Sequence, residues 1–254
     1  MTLKTLKEKG PQTSDALFGG RLIICQDEKG YRFSIDAVLL AGLTRIRKED
    51  RVIELGTGCG VIPLVLAYRK KTEHRIVGVE IQPELAELAG KNVNENNFGD
   101  HIEICQMDFR EVSSRFKAGS FDLALSNPPY RKPGTGRINP DRQKALARHE
   151  LSATMADVLG AAAYLLRQGG RVALIYPATR LANLLHTAID HGLSPKRLTV
   201  IYSYPRGPSR LVHLECRKGG GEELKVEQPF YIYDENEDYS DAMQKFYNDR
   251  LQPL

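Results

Sequence analysis

Apolar positions first gather at Leu22-Ile23-Ile24-Cys25 and again at Tyr31-Arg32-Phe33, on either side of the turn-like Asp27-Glu28-Lys29-Gly30; this pattern predicts a β-hairpin. The residues before it, through position 16, are mostly polar and predict a mobile tail. Ser34 or Asp36 is placed to cap a helix through Ala37-Val38-Leu39-Leu40-Ala41. An alternation of short apolar runs and helical periodicities follows. Strands are predicted at Arg51–Leu55, Arg75–Glu80, Ile102–Cys105, Phe121–Leu125 and Arg171–Tyr176. The predicted helices run from about Pro63 to Lys70, from near Pro83 with Leu85, Leu88, Ala89 and Val93 on one face, from Ala147 to Leu166 ending at Gly169-Gly170, and from Thr179 to His191. Repeated β-α order predicts a parallel sheet with helices on both faces. The ending departs from it: Leu198–Tyr204 and Leu211–Cys216 are joined only by a short loop containing Pro-Arg-Gly-Pro-Ser, too short for a parallel crossover, so this pair must be antiparallel. The fold class is therefore α/β: a doubly wound, mostly parallel, seven-stranded, Rossmann-like sheet closed by an antiparallel hairpin. Residues 1–48 form an N-terminal hairpin and helix extension, and residues 49–254 the sheet domain with a C-terminal tail.

Composition adds mainly exclusions. At 254 residues, 41% hydrophobic and 27% charged, the chain is an ordinary globular sequence rather than a disordered one. No apolar run reaches the roughly 18 residues that span a bilayer, and the first residues lack a secretory signal, so no membrane partner and a cytoplasmic setting are expected. Cys25, Cys59, Cys105 and Cys216 are scattered without a CxxC pair or a histidine cluster, which argues against structural zinc, any other metal site or a disulfide framework. The net charge of +4 permits a nucleic-acid partner without demanding one. The acidic stretch Asp234–Asp241 reads as a solvated face.

The first candidate chemistry lies after the strand that ends in Glu54-Leu55. Gly56-Thr57-Gly58-Cys59-Gly60 leads into a helix, a geometry that brings backbone amides and a helix N-terminus up to a ligand. The dinucleotide pattern GxGxxG would need a third glycine at position 61, which is Val61; the spacing here is GxGxG, which speaks against an NAD-dependent oxidoreductase. Glu80 ends the second strand, where a carboxylate can take both hydroxyls of a ribose, and Ile81 follows it. Asp108-Phe109, after the third strand, can accept from an adenine amino group and cover its ring; the competing readings are a turn or helix cap for Asp108 and core packing for Phe109.

After the fourth strand comes Asn127-Pro128-Pro129-Tyr130: a carboxamide, two residues without N–H groups and an aromatic ring at the carboxyl edge of the sheet. The bland alternative is a strand terminator followed by a turn. Here the sequence resembles the S-adenosyl-L-methionine-dependent amino-methyltransferases of the NPPY class, over about Leu17 to Tyr233, with glycine loop, ribose acid, Asp-Phe pair and NPPY in the family's order. The resemblance implies that S-adenosyl-L-methionine is held by Glu54, Gly56, Thr57, Gly58, Cys59, Gly60, Glu80, Ile81, Asp108, Phe109 and Asn127. Phe33, Ser34 and Asp36 would lie at its methionine end. Asn127, Pro128, Pro129 and Tyr130 would be the catalytic residues, the Asn127 side-chain oxygen and Pro128 carbonyl accepting the two N–H groups of a planar amine while Tyr130 stacks on the target.

Family substrates include adenine N6 in DNA or RNA, guanine N2 in ribosomal RNA and a glutamine side chain in release factors. The loop after the tetrapeptide carries Arg131, Lys132, Arg137, Arg142 and Lys144 against Asp141 alone, a net +4 that suits a phosphate backbone. A merely solvated basic loop is the alternative. Tyr130, Arg131, Lys132, Arg137 and Arg142 are the candidate substrate contacts. The N-terminal segment leaves no room for a helical release-factor-binding domain, and the duplicated domain usual in guanine-N2 enzymes is missing. Within the class, GYRFSIDAVLLAGL, ELGTGCGVIPLVLA, NPPYRKPGTGR and LARHELSATMADVL resemble the bacterial tRNA(Val) adenine-N6-methyltransferase group, which implies an RNA partner, tRNA, modified beside the anticodon. Protein glutamine-N5 methylation, guanine-N2 methylation of rRNA and a non-catalytic, S-adenosyl-L-methionine-binding RNA module acting as a chaperone are the competing readings. His149 reads as structural. Tyr202, Tyr204, Arg206 and Arg210 around the last hairpin read equally as an RNA-facing patch or as packing, and Phe230, Tyr231 and Tyr233 as a strand covering the sheet edge.

Overall fold

In the computed structural model, which describes residues 12–28, 32–70, 75–128 and 153–247, the strands expected from the alternating pattern line up as the centre of one sheet. These are β3 (Val52–Leu55), β4 (Ile76–Glu80), β5 (Ile102–Gln106), β6 (Phe121–Ser126), β7 (Leu166–Pro177), β8 (Leu193–Tyr202) and β9 (Ser209–Lys218). With two-residue strands β10 (Lys225–Val226) and β11 (Phe230–Tyr231), the order is β10-β8-β9-β7-β6-β3-β4-β5, with β11 also on β8. β3 through β7 pair in parallel, and β9 pairs antiparallel with both β7 and β8, as the short connection requires.

The period-two alternation of these strands separates two cores. Leu123, Leu125, Ala173 and Ile175 point to one face; Ala124, Val172 and Leu174 point to the other. The first face is covered by α1 (Ile35–Leu43), α2 (Val61–Lys70), α3 (Pro83–Glu95) and the short terminal helix α6 (Asp241–Tyr247). The second is covered by α4 (Met155–Leu165) and α5 (Leu181–Asp190). Among the described residues, no helix is long and apolar enough to cross a membrane.

Three expectations are corrected. The N-terminal hairpin pairs β1 (Gln12–Leu17) with β2 (Leu22–Asp27), so Gln12–Leu17 is a strand rather than part of a mobile tail; of the expected partner at 31–33, Arg32 and Phe33 belong to no strand and Tyr31 lies outside the described residues. The turn falls at Phe18-Gly19-Gly20, all three with positive φ, which two glycines make inexpensive. Secondly, the helix expected from 147 begins, within the described residues, at Met155 behind a Thr154–Asp157 capping box; positions 147–152 lie outside those residues. Thirdly, it ends at Leu165 rather than at the glycines, because Leu166 already pairs with Phe121 in β7; Gly169 and Gly170 sit where the β6–β7 register shifts. α2 also starts two residues before Pro63, and Ser34 is the residue that caps α1.

Candidate active site

All parallel strands deliver their carboxyl ends to one edge, and backbone hydrogen bonds knit that edge together. The N–H groups of Gly56 and Thr57 both donate to the Val79 carbonyl at 2.9 Å, and Met107 N–H donates to the Glu80 carbonyl at 2.9 Å. Gly56, Gly58 and Gly60 have φ of 80°, 57° and 82°, a region that strains any residue with a Cβ. A Cβ on Gly56 would project into open space, whereas one on Gly60 would lie 3.2 Å from the Cβ of Ala89 on α3. The loop is therefore open on the ligand side and pressed from behind by a helix.

Glu80 is 5% exposed, and its two oxygens are fixed separately: Oε2 accepts from Gly58 N–H at 2.9 Å and Oε1 from Gln82 N–H at 2.9 Å. Each oxygen keeps a second lone pair, so the carboxylate is oriented yet able to accept the two hydroxyls of a ribose. Beside it Ile81 is 39% exposed, an apolar side chain at the mouth of the site. Glu54 lies within the sheet, accepts from the Thr57 hydroxyl at 2.5 Å, and is pushed up to about 8 chiefly by burial. Cys59 is buried and its thiol is pushed up to about 12, again by burial, which keeps it protonated and unreactive.

Asp108 caps the 3-10 turn Phe109–Ser114 by accepting from Arg110 N–H at 2.9 Å, and the Arg110 guanidinium also binds both its oxygens. These contacts hold the Asp108 carboxyl below its ordinary range, so it stays an anionic acceptor. Phe109 is half-buried and packs against the second core. Both bland readings of this pair are thus part of the structure, and neither removes the residues from the carboxyl edge.

Asn127 and Pro128 follow β6, the central strand, whose neighbours are β3 and β7. Asn127 is half-buried and Pro128 buried. The Ser126 hydroxyl donates to the Leu55 carbonyl at 2.8 Å, so the residues directly preceding Asn127 and Gly56 are latched together. The N-terminal segment is anchored to the same sheet. The Arg171 guanidinium binds the Arg45 carbonyl at 2.6 Å near the amino end of the β6–β7 pairing, which anchors the C-terminal end of α1 there. Nine residues of helix span about 13 Å, and Phe33, Ser34 and Asp36 lie at the end of α1 opposite this anchor. Ser34 accepts from Asp36 N–H at 3.3 Å, and Phe33 N–H donates to Gln26 at 2.7 Å. Pro129, Tyr130, Arg131, Lys132, Arg137, Arg142 and His149 lie outside the described residues.

Around the last hairpin, packing accounts for the tyrosines. Tyr202 meets Tyr231 at 5.4 Å and Tyr204 stacks on Tyr233 at 5.2 Å; the row continues through Tyr239 to Tyr247. Arg206 pairs with Glu235 at 3.4 Å, in an exposed acidic turn that would repel phosphate. Sequence reasoning missed Ser126, Arg110 and Asn92. Only Asn92 carried a signal, as a polar residue on the buried stripe of α3.

Glycine loop, fixed acid and an open mostly parallel sheet define the class I methyltransferase architecture. A methyltransferase-domain family model matches residues 46–203. The tRNA1(Val) (adenine(37)-N6)-methyltransferase of Bacteroides thetaiotaomicron is 30% identical over 88% of this chain and 93% of its own length. That of Porphyromonas gingivalis strain W83 is 38% identical over 63% of each chain. Among solved structures, the protein Atu636 of Agrobacterium tumefaciens, described as a predicted O-methyltransferase, superposes with a TM-score of 0.70 at 20% identity, covering 86% of this chain and 98% of that one. A geranyl diphosphate C-methyltransferase of Streptomyces coelicolor A3(2), solved with S-adenosyl-L-homocysteine, does so at 0.51 and 13% identity, over 72% of this chain and 76% of that one. The chain belongs to this methyltransferase family, together with the tRNA1(Val) (adenine(37)-N6)-methyltransferases, and is an S-adenosylmethionine-dependent enzyme.

Proposed function

We propose that this protein methylates the exocyclic N6 of an adenine in RNA, namely a tRNA adenine beside the anticodon, in the cytoplasm. The names of its relatives support the substrate, and the net +4 loop after Tyr130 supports a phosphate-bearing partner. The donor set suits S-adenosylmethionine: open space over Gly56, a pinned carboxylate with spare lone pairs, and an apolar neighbour. In this reading Glu80 holds the ribose and Ile81 lines the adenine. Asp108 accepts from the adenine amino group, and Phe109 covers the ring edge. Glu54, Thr57, Cys59 and the three loop glycines form the floor; Phe33, Ser34 and Asp36 close the methionine end. Residues 1–48 then act as an extension completing the pocket of the domain that follows. When bound, the cofactor supplies an activated, electrophilic methyl group, so no strong general base is needed.

The acceptor amine is a poor nucleophile because its lone pair is delocalised into the ring. The Asn127 side-chain oxygen and the Pro128 carbonyl each accept one of its N–H groups, which draws the nitrogen toward a tetrahedral form with its lone pair free. Pro128 and Pro129 present no competing N–H, and Tyr130 stacks on the target base. Aligned acceptors and fixed orientation supply the acceleration. An adenine in an anticodon loop is unpaired, so extruding it is inexpensive. The observation that carries this reading is the position of Asn127-Pro128 at the end of the central strand, latched through Ser126 to the base of the glycine loop.

With labelled S-adenosylmethionine, unmodified tRNA should accept methyl groups as N6-methyladenosine. Asn127→Ala should lower kcat by at least about 100-fold, the usual loss for an aligned polar group in a reaction centre, while the cofactor still binds. Methylation of a release-factor domain instead of RNA, or full turnover by the alanine variant, would overturn the reading.

A further inference from the structure

Asn92 lies on α3, fully buried, and its carboxamide makes three contacts with backbone from two distant segments. Its Oδ1 accepts from Cys25 N–H at 2.8 Å, and its Nδ2 donates to the Cys25 carbonyl at 3.0 Å and to the Cys59 carbonyl at 2.9 Å. One side chain thus ties β2 of the N-terminal hairpin to the glycine loop. One turn later, Asn96 repeats half of this arrangement. It accepts from Ile23 N–H at 3.0 Å and donates to the Ile23 carbonyl at 2.8 Å, without touching the glycine loop. The two carboxamides of α3 therefore stand in for a neighbouring strand along the free edge of β2. The connection continues past Cys25: Gln26, 1% exposed, accepts from the N–H of Phe33, the first of the residues proposed to close the methionine end.

We infer that Asn92 is a positioning residue for the cofactor pocket: it sets the separation between the glycine loop and the Phe33–Asp36 wall by holding Cys59 and Cys25 on one carboxamide. The inference rests on the proposed role of these walls in holding S-adenosylmethionine. Two physical points support it. The Cys59 carbonyl lies between Gly58 and Gly60, the residue type with the most backbone freedom, so losing its donor frees a segment that its own sequence does not hold in place. The Cys25 N–H and carbonyl meet Asn92 in buried hydrogen bonds, so removing the carboxamide takes a partner from both groups at once. Asn96 makes a built-in control: it clamps the same strand, and its remaining hydrogen bond goes to the Asn92 backbone carbonyl at 2.8 Å rather than to the loop.

The test compares Asn92→Ala with Asn96→Ala in the full chain, below the melting temperature of both. Asn92→Ala should raise both the KM and the calorimetric Kd for S-adenosylmethionine about tenfold, the loss expected for one or two buried hydrogen bonds, with kcat for tRNA within about twofold. Asn96→Ala should lower the melting temperature and leave the Kd within about twofold. An unchanged Kd in Asn92→Ala, or an equal rise in Asn96→Ala, would overturn the inference. The unaltered protein provides a second measurement that does not depend on a variant folding. Amide hydrogen exchange at Cys25 should slow on saturation with S-adenosylmethionine, in step with the glycine loop. Protection of the loop with no change at Cys25 would overturn the coupling. Failure of the unaltered protein to bind S-adenosylmethionine would instead sink the proposed function.

Discussion

Two glycines mark two different ways in which this molecule brings distant segments into contact. Gly60 closes the cofactor loop with a positive φ and lets Ala89 of α3 approach within 3.2 Å of where its Cβ would be. Around it the interactions are polar and directional: Glu80 on Gly58, Asn92 on Cys59, Thr57 on Glu54. Gly42, in the last turn of α1, is glycine for volume alone, because a Cβ there would overlap the ring of Phe246 from the terminal helix. Phe246 is 4% exposed, lies 4.5 Å from the Arg69 guanidinium, and belongs to the same core as α1 and α2. The loop region spends its order on presenting backbone and carboxylate to a ligand. The terminal seal only excludes water. Substitutions should accordingly separate affinity from stability.

The largest effect is expected at the seal. Phe246→Ala removes a buried ring above a helix glycine and should cost about 3 kcal/mol in denaturant unfolding, while the Kd for S-adenosylmethionine changes less than about twofold. Equal loss of binding would dissolve the contrast. Next comes Glu80→Ala, which removes the proposed ribose acceptor and leaves two backbone N–H groups without their partner; calorimetry should show a loss of about 2 kcal/mol in cofactor binding, or about 30-fold in Kd. The third is a pH dependence with a defined sign. Burial raises Glu54 from 4.5 to about 8, so the folded state holds a proton that the unfolded state has released, and this stabilisation, complete below pH 4.5, is lost as pH rises toward 8. His213, buried and 3.2 Å from the Thr44 hydroxyl, is lowered from 6.5 to about 3 by burial, and so acts oppositely, destabilising as pH falls below 6.5. Between pH 6.5 and 8 Glu54 acts without His213, and the cofactor-free protein should lose about 2 kcal/mol over that interval, one proton's worth per pH unit. Glu54→Gln, which keeps an acceptor for Thr57, should flatten that slope; an unchanged slope would place the titration elsewhere.

Most of the sheet was legible because its signals are local. Alternating apolar runs, Pro83 at a helix start and a connection too short for a crossover each act within a few residues, and each predicted β3 to β9 element lies where expected within a few positions. The site was legible for the same reason: the GxGxG spacing, Glu80 at a strand end and Asn127 after the central strand are tied to strand ends, and strand ends share one edge. The N-terminal hairpin was misplaced because Gln12–Leu17 is polar and alternates weakly. Its partner β2 is fixed from the far side by Asn92 and Asn96, about 70 residues along the chain, and no local pattern announces that. Gly169-Gly170 looked like a helix terminator because, in isolation, a glycine pair after an apolar helix is one; in the fold Leu166 is already claimed by Phe121.

The sequence by itself therefore determined the order and type of the central elements and the chemical groups delivered to the carboxyl edge, since periodicity, capping and glycine conformation are properties of neighbouring residues. Tertiary structure alone decided that two asparagines would complete the edge of β2, that the tyrosines of the last hairpin would stack on one another, and that Arg110 would occupy Asp108. Those choices depend on which groups meet across the folded chain, where the burial of an unpaired polar atom costs more than any local preference supplies.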